Sequence, residues 1–211
     1  MSIRHFTGRP SRLIPSCYDP PILREHAQTP EEYDALLDLD NLTNGRVMAG
    51  KGETSEPYQS VRQACFHYAS NSRFNIPLEG HGAWYAAELK TAQHEVGYHF
   101  ALRAIAEGLE EFSTDYTRYS SYVDDDLVEA ESLPEYVQAL QVDPNDYTVS
   151  QRLGERLREQ GCAGICYQSQ RSAGDSCIAL LQEWAVTHIQ RHEGYRFSWN
   201  PVTEEVEIRR K

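Results

Sequence analysis

Apolar residues recur at helical spacing most clearly between Leu89 and about Glu107. This spacing predicts an amphipathic helix, because residues three and four positions apart share one helix face and a core-facing helix keeps that face apolar. The apolar positions of this stretch are Ala92, Val96, Phe100, Leu102 and Ile105. We therefore expect this helix to pack one side against the core.

Shorter helices are predicted on both sides of this one. They run from about Pro30 to Leu39, from Val61 to Tyr68 and from Ser150 to Gln160. Thr29 supplies an N-cap in front of a proline at the first helical position, a combination typical of helix starts. Gly161 stands where the C-terminal glycine of a helix belongs.

Short apolar runs and alternating patterns predict strands in the C-terminal third. These are Ala163 to Tyr167, Ser176 to Leu181, and a closing hairpin of Gly194 to Trp199 with Glu204 to Arg209. Ser113 to Asp126 is dense in Tyr, Ser, Thr and Asp, which predicts an edge strand that runs into a turn. Because helices and strands mix without a regular βαβ repeat and no GxGxxG motif occurs, the pattern favours an α/β fold of the α+β kind and argues against a Rossmann fold.

Length and composition limit the architecture further. A chain of 211 residues with 40% hydrophobic content is enough for one compact domain, and we expect residues 1–211 to form a single domain with its core at about 12–199. Pro10 to Pro21 predicts an extended segment. Asn44 to Pro57 and Gln168 to Asp175 predict polar loops.

Charge narrows the range of functions. The net charge of -12 and a pI near 5.1 argue against direct nucleic-acid binding, which needs a basic surface. A few arginines in a pocket can still bind a small anion. The first ten residues contain no apolar run of signal-peptide length, and no stretch approaches the length of a membrane span, so we expect a soluble, cytoplasmic protein.

Neither the cysteines nor the histidines have the spacing of a metal site. The five cysteines include no CxxC pair and predict reduced thiols, with Cys162 and Cys166 serving as small apolar side chains around a strand. His94 and His99 are five residues apart, which places them about 140° apart around a helix. A zinc-binding helix needs histidines four apart on one face, so we expect no bound metal and a solvent-facing His94.

The residues with chemical potential lie in one loop, strand and helix unit. Arg73 falls in the loop, Tyr85 in a short strand and Glu95 in the helix that follows. Glu95 shares the helix side of Leu102 and Ile105. A carboxylate on a mostly apolar face must be paired, protonated or used on a ligand, because burying a bare charge is costly. A structural arginine is the alternative partner.

Seven stretches, in order from about Arg12 to Trp199, closely resemble the RES-domain family. They are Arg12 to Ser16, Leu36 to Asn44, Ser72 to Asn75, Trp84 to Ala87, Thr91 to His99, Gly164 to Arg171 and Tyr195 to Phe197. The resemblance implies a compact α/β unit around a split β-sheet, similar in fold to ADP-ribosyltransferases. It also implies a toxin that depletes NAD in bacteria, with an Xre-type helix-turn-helix antitoxin as its partner.

The resemblance also assigns residues to the site. The arginine, glutamate and serine for which the family is named would be Arg73, Glu95 and Ser169, with Tyr85 as an aromatic residue beside them, and these four would be catalytic. Arg12, Arg73, Tyr85 and Ser169 would bind NAD, which is the substrate, and no prosthetic cofactor is implied.

Two stretches depart from the family pattern. The segment between Arg73 and Tyr85 is slightly longer than expected, and the residues after Ser169 lack the more usual Pro-Gly turn, so Ser172 stays a rival for the serine. Structural alternatives also remain. Arg73 would then form an ion pair at the start of a loop, Tyr85 would pack in a strand and Ser169 would occupy a turn.

These residue types suit cleavage of the bond between nicotinamide and ribose. A carboxylate such as Glu95 stabilises the oxocarbenium-like sugar that forms as the bond breaks. Arg73 and Arg12 would bind the pyrophosphate, Tyr85 would offer a face to the nicotinamide ring, and Ser169 would donate a hydrogen bond to ribose or phosphate. Water or phosphate would be the acceptor.

Two other functions remain open on the sequence. One is an ADP-ribosyltransferase that modifies a protein, and the other is a non-catalytic interaction module with the same fold. If an antitoxin binds, the segments Asn44 to Pro57 and Ser113 to Asp126 are candidate contact surfaces, since neither shows the periodicity of a core element. The sequence leaves the oligomeric state open, a homodimer included.

Overall fold

The computed structural model describes residues 1–18, 26–43 and 58–211. In that part of the chain, five α-helices and eight strands have both ends defined. The helices are α1 (Pro30–Thr43), α2 (Gln59–His67), α3 (Leu89–Ala106), α4 (Pro134–Val142) and α5 (Thr148–Glu159). The strands are β1 (Ile3–Gly8), β2 (Ser11–Pro15), β3 (Trp84–Ala87), β4 (Phe112–Glu129), β5 (Gly164–Gln168), β6 (Ser176–Leu180), β7 (Thr187–Asn200) and β8 (Glu205–Arg210). The mixed α/β class expected from the sequence is confirmed.

The eight strands form one mixed sheet that is divided along β4. The strand order is β2-β3-β6-β5-β4-β7-β8, with β1 and β2 also hydrogen-bonded to β4. The first part of β4 pairs with β2 and β7, whereas its last part pairs with β1 and, in parallel, with β5. The two halves meet again at Ser11, which pairs with Ser120 of β4 and Ala87 of β3. This junction closes one wall of the pocket described below.

The prediction of an edge strand from Ser113 to Asp126 is wrong. This segment belongs to β4, which has neighbours along both edges, and Tyr119, Ser120 and Ser121 are buried. The two neighbouring serine hydroxyls are buried in different ways: Ser120 Oγ lies 2.8 Å from His192 Nε2, whereas Ser121 Oγ has no hydrogen-bond partner within the described residues. Ser113, Asp124 and Asp126 of this segment are nevertheless exposed, so its role as an antitoxin contact surface stays a prediction.

Two buried clusters cover opposite faces of the β3, β5 and β6 half of the sheet. Alternate residues of β6 divide between them, as the period of a strand requires: Ala179 joins the cluster under α4 and α5, and Ile178 joins the cluster on the α2 side. A third cluster lies between α3 and β7, where Phe100 stacks on Phe112 with 4.6 Å between the ring centroids. The core therefore fixes α3 next to β2 and β3, the strands that line the pocket.

The helix predicted from Leu89 to Glu107 is confirmed as α3, but its buried stripe is narrower than expected. Ala92, Phe100 and Ala104 are buried. Leu102 and Ile105 are 45% and 55% exposed. The reason is that the helix packs along one line on β2, β7 and β8, so a residue one position off that line points to solvent.

Most of the other predicted elements are confirmed, with shifted ends. The Thr29 hydroxyl accepts the Glu32 N–H at 3.2 Å and caps α1, which continues to Thr43 instead of ending at Leu39. Gly161 has a φ of 72° after α5, and β7 and β8 form the antiparallel hairpin. All five cysteines are free. The predicted loop at 44–57 and the end of the extended segment lie outside the described residues.

No helix in the described part of the chain combines the length and apolar character needed to cross a bilayer.

Candidate functional site

A cavity of about 340 Å³ opens where β2, β3 and α3 meet the loop at 70–73. This volume falls in the range of small-molecule sites. Arg12, Arg73, Tyr85 and Glu95, four of the residues singled out in the sequence, line it. The fifth, Ser169, is buried directly behind Glu95. The fold thus brings together side chains that are up to 157 positions apart in sequence, from Arg12 to Ser169.

Glu95 is held by a short hydrogen bond. The Ser169 hydroxyl donates to Glu95 Oε1 at 2.6 Å, and the Cys177 thiol lies 3.9 Å from the same oxygen. No described residue hydrogen-bonds to the other oxygen, Oε2. The carboxylate is therefore anchored through one oxygen and can present the other to the cavity.

The hydroxyl of Ser169 has no capacity left for a ligand. Besides donating to Glu95, it accepts the backbone N–H groups of Arg171 at 3.1 Å and Ser172 at 2.9 Å, an arrangement common for serines in turns. A hydroxyl has one donor and two acceptor sites, and all three are used within the protein. The structure therefore favours a positioning role for Ser169 toward Glu95, and its expected hydrogen bond to ribose or phosphate stays a prediction that would require one of these bonds to be replaced.

Ser172, the rival serine, has a different set of partners. Its hydroxyl donates to Asp175 Oδ2 at 2.6 Å, and Thr91 donates to the same oxygen at 2.8 Å. These hydrogen bonds lower the pKa of Asp175. Ser172 thus stabilises the turn, and Ser169 is the serine that contacts Glu95.

The thiol of Cys177, which lies beside Glu95, is unreactive. Burial, reinforced by the Glu95 carboxylate, raises the pKa of Cys177 to about 12. A thiol in that state remains protonated at neutral pH and is a poor nucleophile. Cys177 is therefore a neutral wall of the cavity and a weak donor to the carboxylate.

Tyr85 uses its hydroxyl to fix the loop that carries Arg73. The hydroxyl donates to Asn75 Oδ1 at 2.6 Å and accepts the Phe74 N–H at 2.9 Å. Burial raises the pKa of Tyr85, so the group stays protonated and keeps both bonds. The hydroxyl is thus occupied, and what Tyr85 offers to the cavity is its ring.

Helix α5 holds the same loop from the other side. Gln151 Nε2 donates to the carbonyl oxygens of Ser72 at 3.0 Å and Asn75 at 3.2 Å. Gly154 allows the close approach, because a Cβ at that position would lie 2.0 Å from the Phe74 carbonyl oxygen. The loop is consequently fixed by a strand and a helix, which suits a residue that must be positioned before a ligand arrives.

Arg73 and Arg12 both face the cavity without an acidic partner. Arg73 donates to the Pro144 carbonyl at 3.3 Å and lies 5.0 Å from the Tyr147 ring centroid. Arg12 donates to the Tyr85 carbonyl at 3.2 Å, and its guanidinium lies 5.2 Å from the Trp84 ring. Within the described ranges neither forms an ion pair, and Arg12 Nε has no hydrogen-bond partner. The ion-pair alternative for Arg73 is therefore not what the structure shows.

Arg171, Tyr147 and His99 are among the cavity-lining residues that the sequence reasoning did not assign. His99 was detectable, because it lies four residues after Glu95 and so shares its helix side. Although exposed, His99 has its pKa lowered, chiefly because surrounding protein limits its hydration, while Glu95 acts in the opposite direction. Tyr147 gave no signal in sequence, since it comes from a polar connection between two helices.

His94, by contrast, is exposed as predicted, and its Nδ1 lies 3.3 Å from Ser172 Oγ. In the part of the chain that the structure describes, no three His, Cys, Asp or Glu side chains are grouped to hold a metal ion.

Comparison with known proteins gives one family and a distant structural likeness. No curated protein matches the chain significantly. Among solved structures, the crystal structure of the M.tuberculosis MbcT-MbcA toxin-antitoxin complex is similar with a TM-score of 0.48 and 14% sequence identity, over 96% of this chain and 89% of that chain. The family model of the RES domain matches residues 52–200, a range that includes Arg73, Tyr85, Glu95 and Ser169. Since the match extends over most of the sequence, the chain belongs to the RES domain family.

Proposed function

We propose that this protein cleaves NAD at the bond between nicotinamide and ribose, with water or phosphate as the acceptor, and acts as a growth-arresting toxin. The observation that carries the proposal is the anchored carboxylate of Glu95, held by Ser169 at 2.6 Å in a cavity that arginines line. A cavity with this composition suits a dinucleotide, whose pyrophosphate is anionic and whose nicotinamide ribose becomes cationic as the bond breaks.

Each side chain has a part in the proposed reaction. Glu95 Oε2 faces the developing positive charge on the ribose, and fixing the carboxylate in advance means that little reorganisation is needed in the transition state. The bond from ribose C1′ to the nicotinamide nitrogen breaks with its electron pair leaving on nicotinamide, which becomes neutral. A lone pair of the acceptor oxygen then bonds to C1′, and when the acceptor is water this oxygen releases one proton to the solvent. Arg73 and Arg12 hold the pyrophosphate, and the ring of Tyr85 lines the wall.

Control by an antitoxin completes the proposal. An enzyme that consumes NAD would harm its own cell, so a helix-turn-helix partner of the Xre type would hold it inactive. Two features support a partner that makes the DNA contacts itself. The chain has a net charge of -12, which disfavours binding to DNA, and three of its arginines line the cavity and are not part of an open basic surface.

The test is nicotinamide release by the purified chain. The parent protein should release nicotinamide from NAD, and Glu95→Gln should reduce the rate by about two orders of magnitude or more, since a carboxylate facing the transition-state charge contributes several kcal/mol. Circular dichroism would establish that the variant is folded. Adding a helix-turn-helix partner that copurifies with the co-expressed chain should suppress release. Equal rates for parent and folded Glu95→Gln would refute the proposal.

A further inference from the structure

The cavity contains more positive charge than its single carboxylate can balance. Arg12, Arg73 and Arg171 line it, and Glu95 is the one acidic side chain among the lining residues of the described chain. None of these three arginines is among the ion pairs formed within residues 1–18, 26–43 and 58–211. Such a local excess of positive charge, in a chain of net charge -12, favours an anionic ligand.

Arg171 is held in place by contacts that leave its charge unbalanced. Its guanidinium carbon lies 3.5 Å from the ring centroid of Tyr98, and Nη2 donates to Asn145 Oδ1 at 3.0 Å. Stacking on an aromatic face fixes the guanidinium plane but does not use its N–H groups. An arginine with most of its five donors free and its orientation fixed is prepared to bind an oxyanion.

Three aspartates lie close to Arg171 in sequence or flank its hydrogen-bond partner Asn145, and each of them accepts hydrogen bonds from groups other than Arg171. Asp143 accepts the Asn145 N–H at 2.8 Å, and Asp146 accepts the Thr148 N–H at 2.9 Å. Asp175 accepts from Thr91 and from the serine at 172. These carboxylates stabilise their own turns, so the charge of Arg171 stays available to the cavity.

Arg171 and Arg73 lie on the same side of the cavity. Arg73 donates to the carbonyl of Pro144 and Arg171 to the side chain of Asn145, which are consecutive residues of the α4–α5 connection. Arg12 is placed elsewhere, against Tyr85 and Trp84 of β3. We propose that Arg171 and Arg73 together form a phosphate-binding subsite that is separate from the position of Arg12.

This subsite deepens the proposed function, on which it rests for its ligand. A phosphate group could reach it as part of the dinucleotide, whose two phosphates would then divide between this subsite and Arg12, or as a free acceptor, in which case Arg12 alone would hold the pyrophosphate. Both are bound by the same chemistry, bidentate hydrogen bonding from a guanidinium to phosphate oxygens. Binding can be measured without turnover, so the subsite and the cleavage activity can fail independently.

The experiment is calorimetric titration of the full chain with inorganic phosphate, and separately with ADP-ribose. Arg171→Gln should weaken the binding of at least one probe by about tenfold or more, the size expected for a lost charged hydrogen bond. Loss confined to ADP-ribose would mean that the subsite holds a phosphate of the dinucleotide. Loss of phosphate binding to protein already saturated with ADP-ribose would mean that it holds a free phosphate.

Three variants separate ligand binding from support of the loop. Asn145→Ala removes the hydrogen bond to Arg171 but keeps the guanidinium, and should change affinity by much less. Arg171→Lys, which keeps the charge without the planar fork, should give intermediate affinity. Arg103→Gln is the matched control, because Arg103 also lies over a ring, that of Phe112 at 5.3 Å, but outside the cavity.

The proposal is overturned if the unaltered protein binds neither probe. It is equally overturned if folded Arg171→Gln binds both as well as the parent, or if Asn145→Ala weakens binding as much as Arg171→Gln does. In the last case Arg171 would act only by holding the loop. Thermal unfolding of each variant establishes that it is folded.

Discussion

The hydroxyl of Ser169 makes three hydrogen bonds within the protein, two with backbone N–H groups and one with Glu95. Two of them fix the oxygen, so its proton has one direction in which to point. The serine therefore holds the carboxylate in a single rotamer against the cavity. At the scale of one residue, these saturated hydrogen bonds favour a role for Ser169 in positioning Glu95 over a role as a reactive group.

Removing this hydroxyl should impair turnover, and it also takes the acceptor away from two backbone N–H groups, so thermal unfolding has to establish that the variant is folded. We expect Ser169→Ala to lower kcat for nicotinamide release by about ten- to a hundredfold, since a hydrogen bond to a charged group contributes about 1.5–3 kcal/mol. Ser172→Ala is the matched control, because it removes a neighbouring hydroxyl that bonds to Asp175. Steady-state kinetics on both variants would check this. A Ser169→Ala enzyme as fast as Ser172→Ala would show that the carboxylate needs no anchor.

At the scale of elements, the position of Arg73 depends on how closely α5 approaches its loop. Alanine at a helix-interior glycine normally stabilises a protein by about 1 kcal/mol. At Gly154 the sign should reverse, because the added Cβ would lie 2.0 Å from the Phe74 carbonyl oxygen. We expect Gly154→Ala to lower the free energy of unfolding by about 1–3 kcal/mol, the usual cost of overpacking, and to reduce activity by moving the loop.

A second glycine provides the control for this experiment. Gly97 lies inside α3, and a Cβ there would meet only Phe197 Cε1, at 3.9 Å. Gly97→Ala should therefore be neutral or stabilising in urea unfolding. If both alanine variants were stabilised alike, the close approach of α5 to the loop would not restrain Arg73.

At the scale of the whole molecule, charge pairs across the sheet make stability depend on acidity. The hydroxyl of Tyr195 at 2.6 Å and Arg118 at 3.2 Å both bond to Glu193 Oε1, and hydrogen bonds of this kind lower the pKa of Glu193 to about 2. Arg118 also donates to Ser11, at the junction of the two halves of the sheet. Because the folded state holds this carboxylate ionised more strongly than the unfolded chain does, its contribution is complete above its ordinary pKa and is lost as the pH falls towards 2.

Glu193→Gln should therefore make the free energy of unfolding less dependent on pH in the acid range. We expect a loss of about 1 kcal/mol at neutral pH, less than the shifted pKa alone implies, because the pair is partly hydrated and surface ion pairs contribute little. Chemical unfolding between pH 7 and 2.5 would measure it. Glu205→Gln, at an exposed position of β8, is the control. If the two variants gave the same pH dependence, the Glu193 cluster would not contribute to acid sensitivity.

Local patterns in the sequence determined the mixed α/β class, helix α3, the capped start of α1 and the closing hairpin, because periodicity and capping depend on near neighbours. The order of the motifs also predicted that Arg73, Tyr85 and Glu95 would share a site. Only the tertiary structure decided that the polar β4 segment lies at the centre of the sheet, since pairing depends on distant strands. It likewise decided that Ser169 and Tyr85 use their hydroxyls internally and that Arg171 joins the cavity, because hydrogen-bonding capacity is assigned by whichever groups the fold brings within reach.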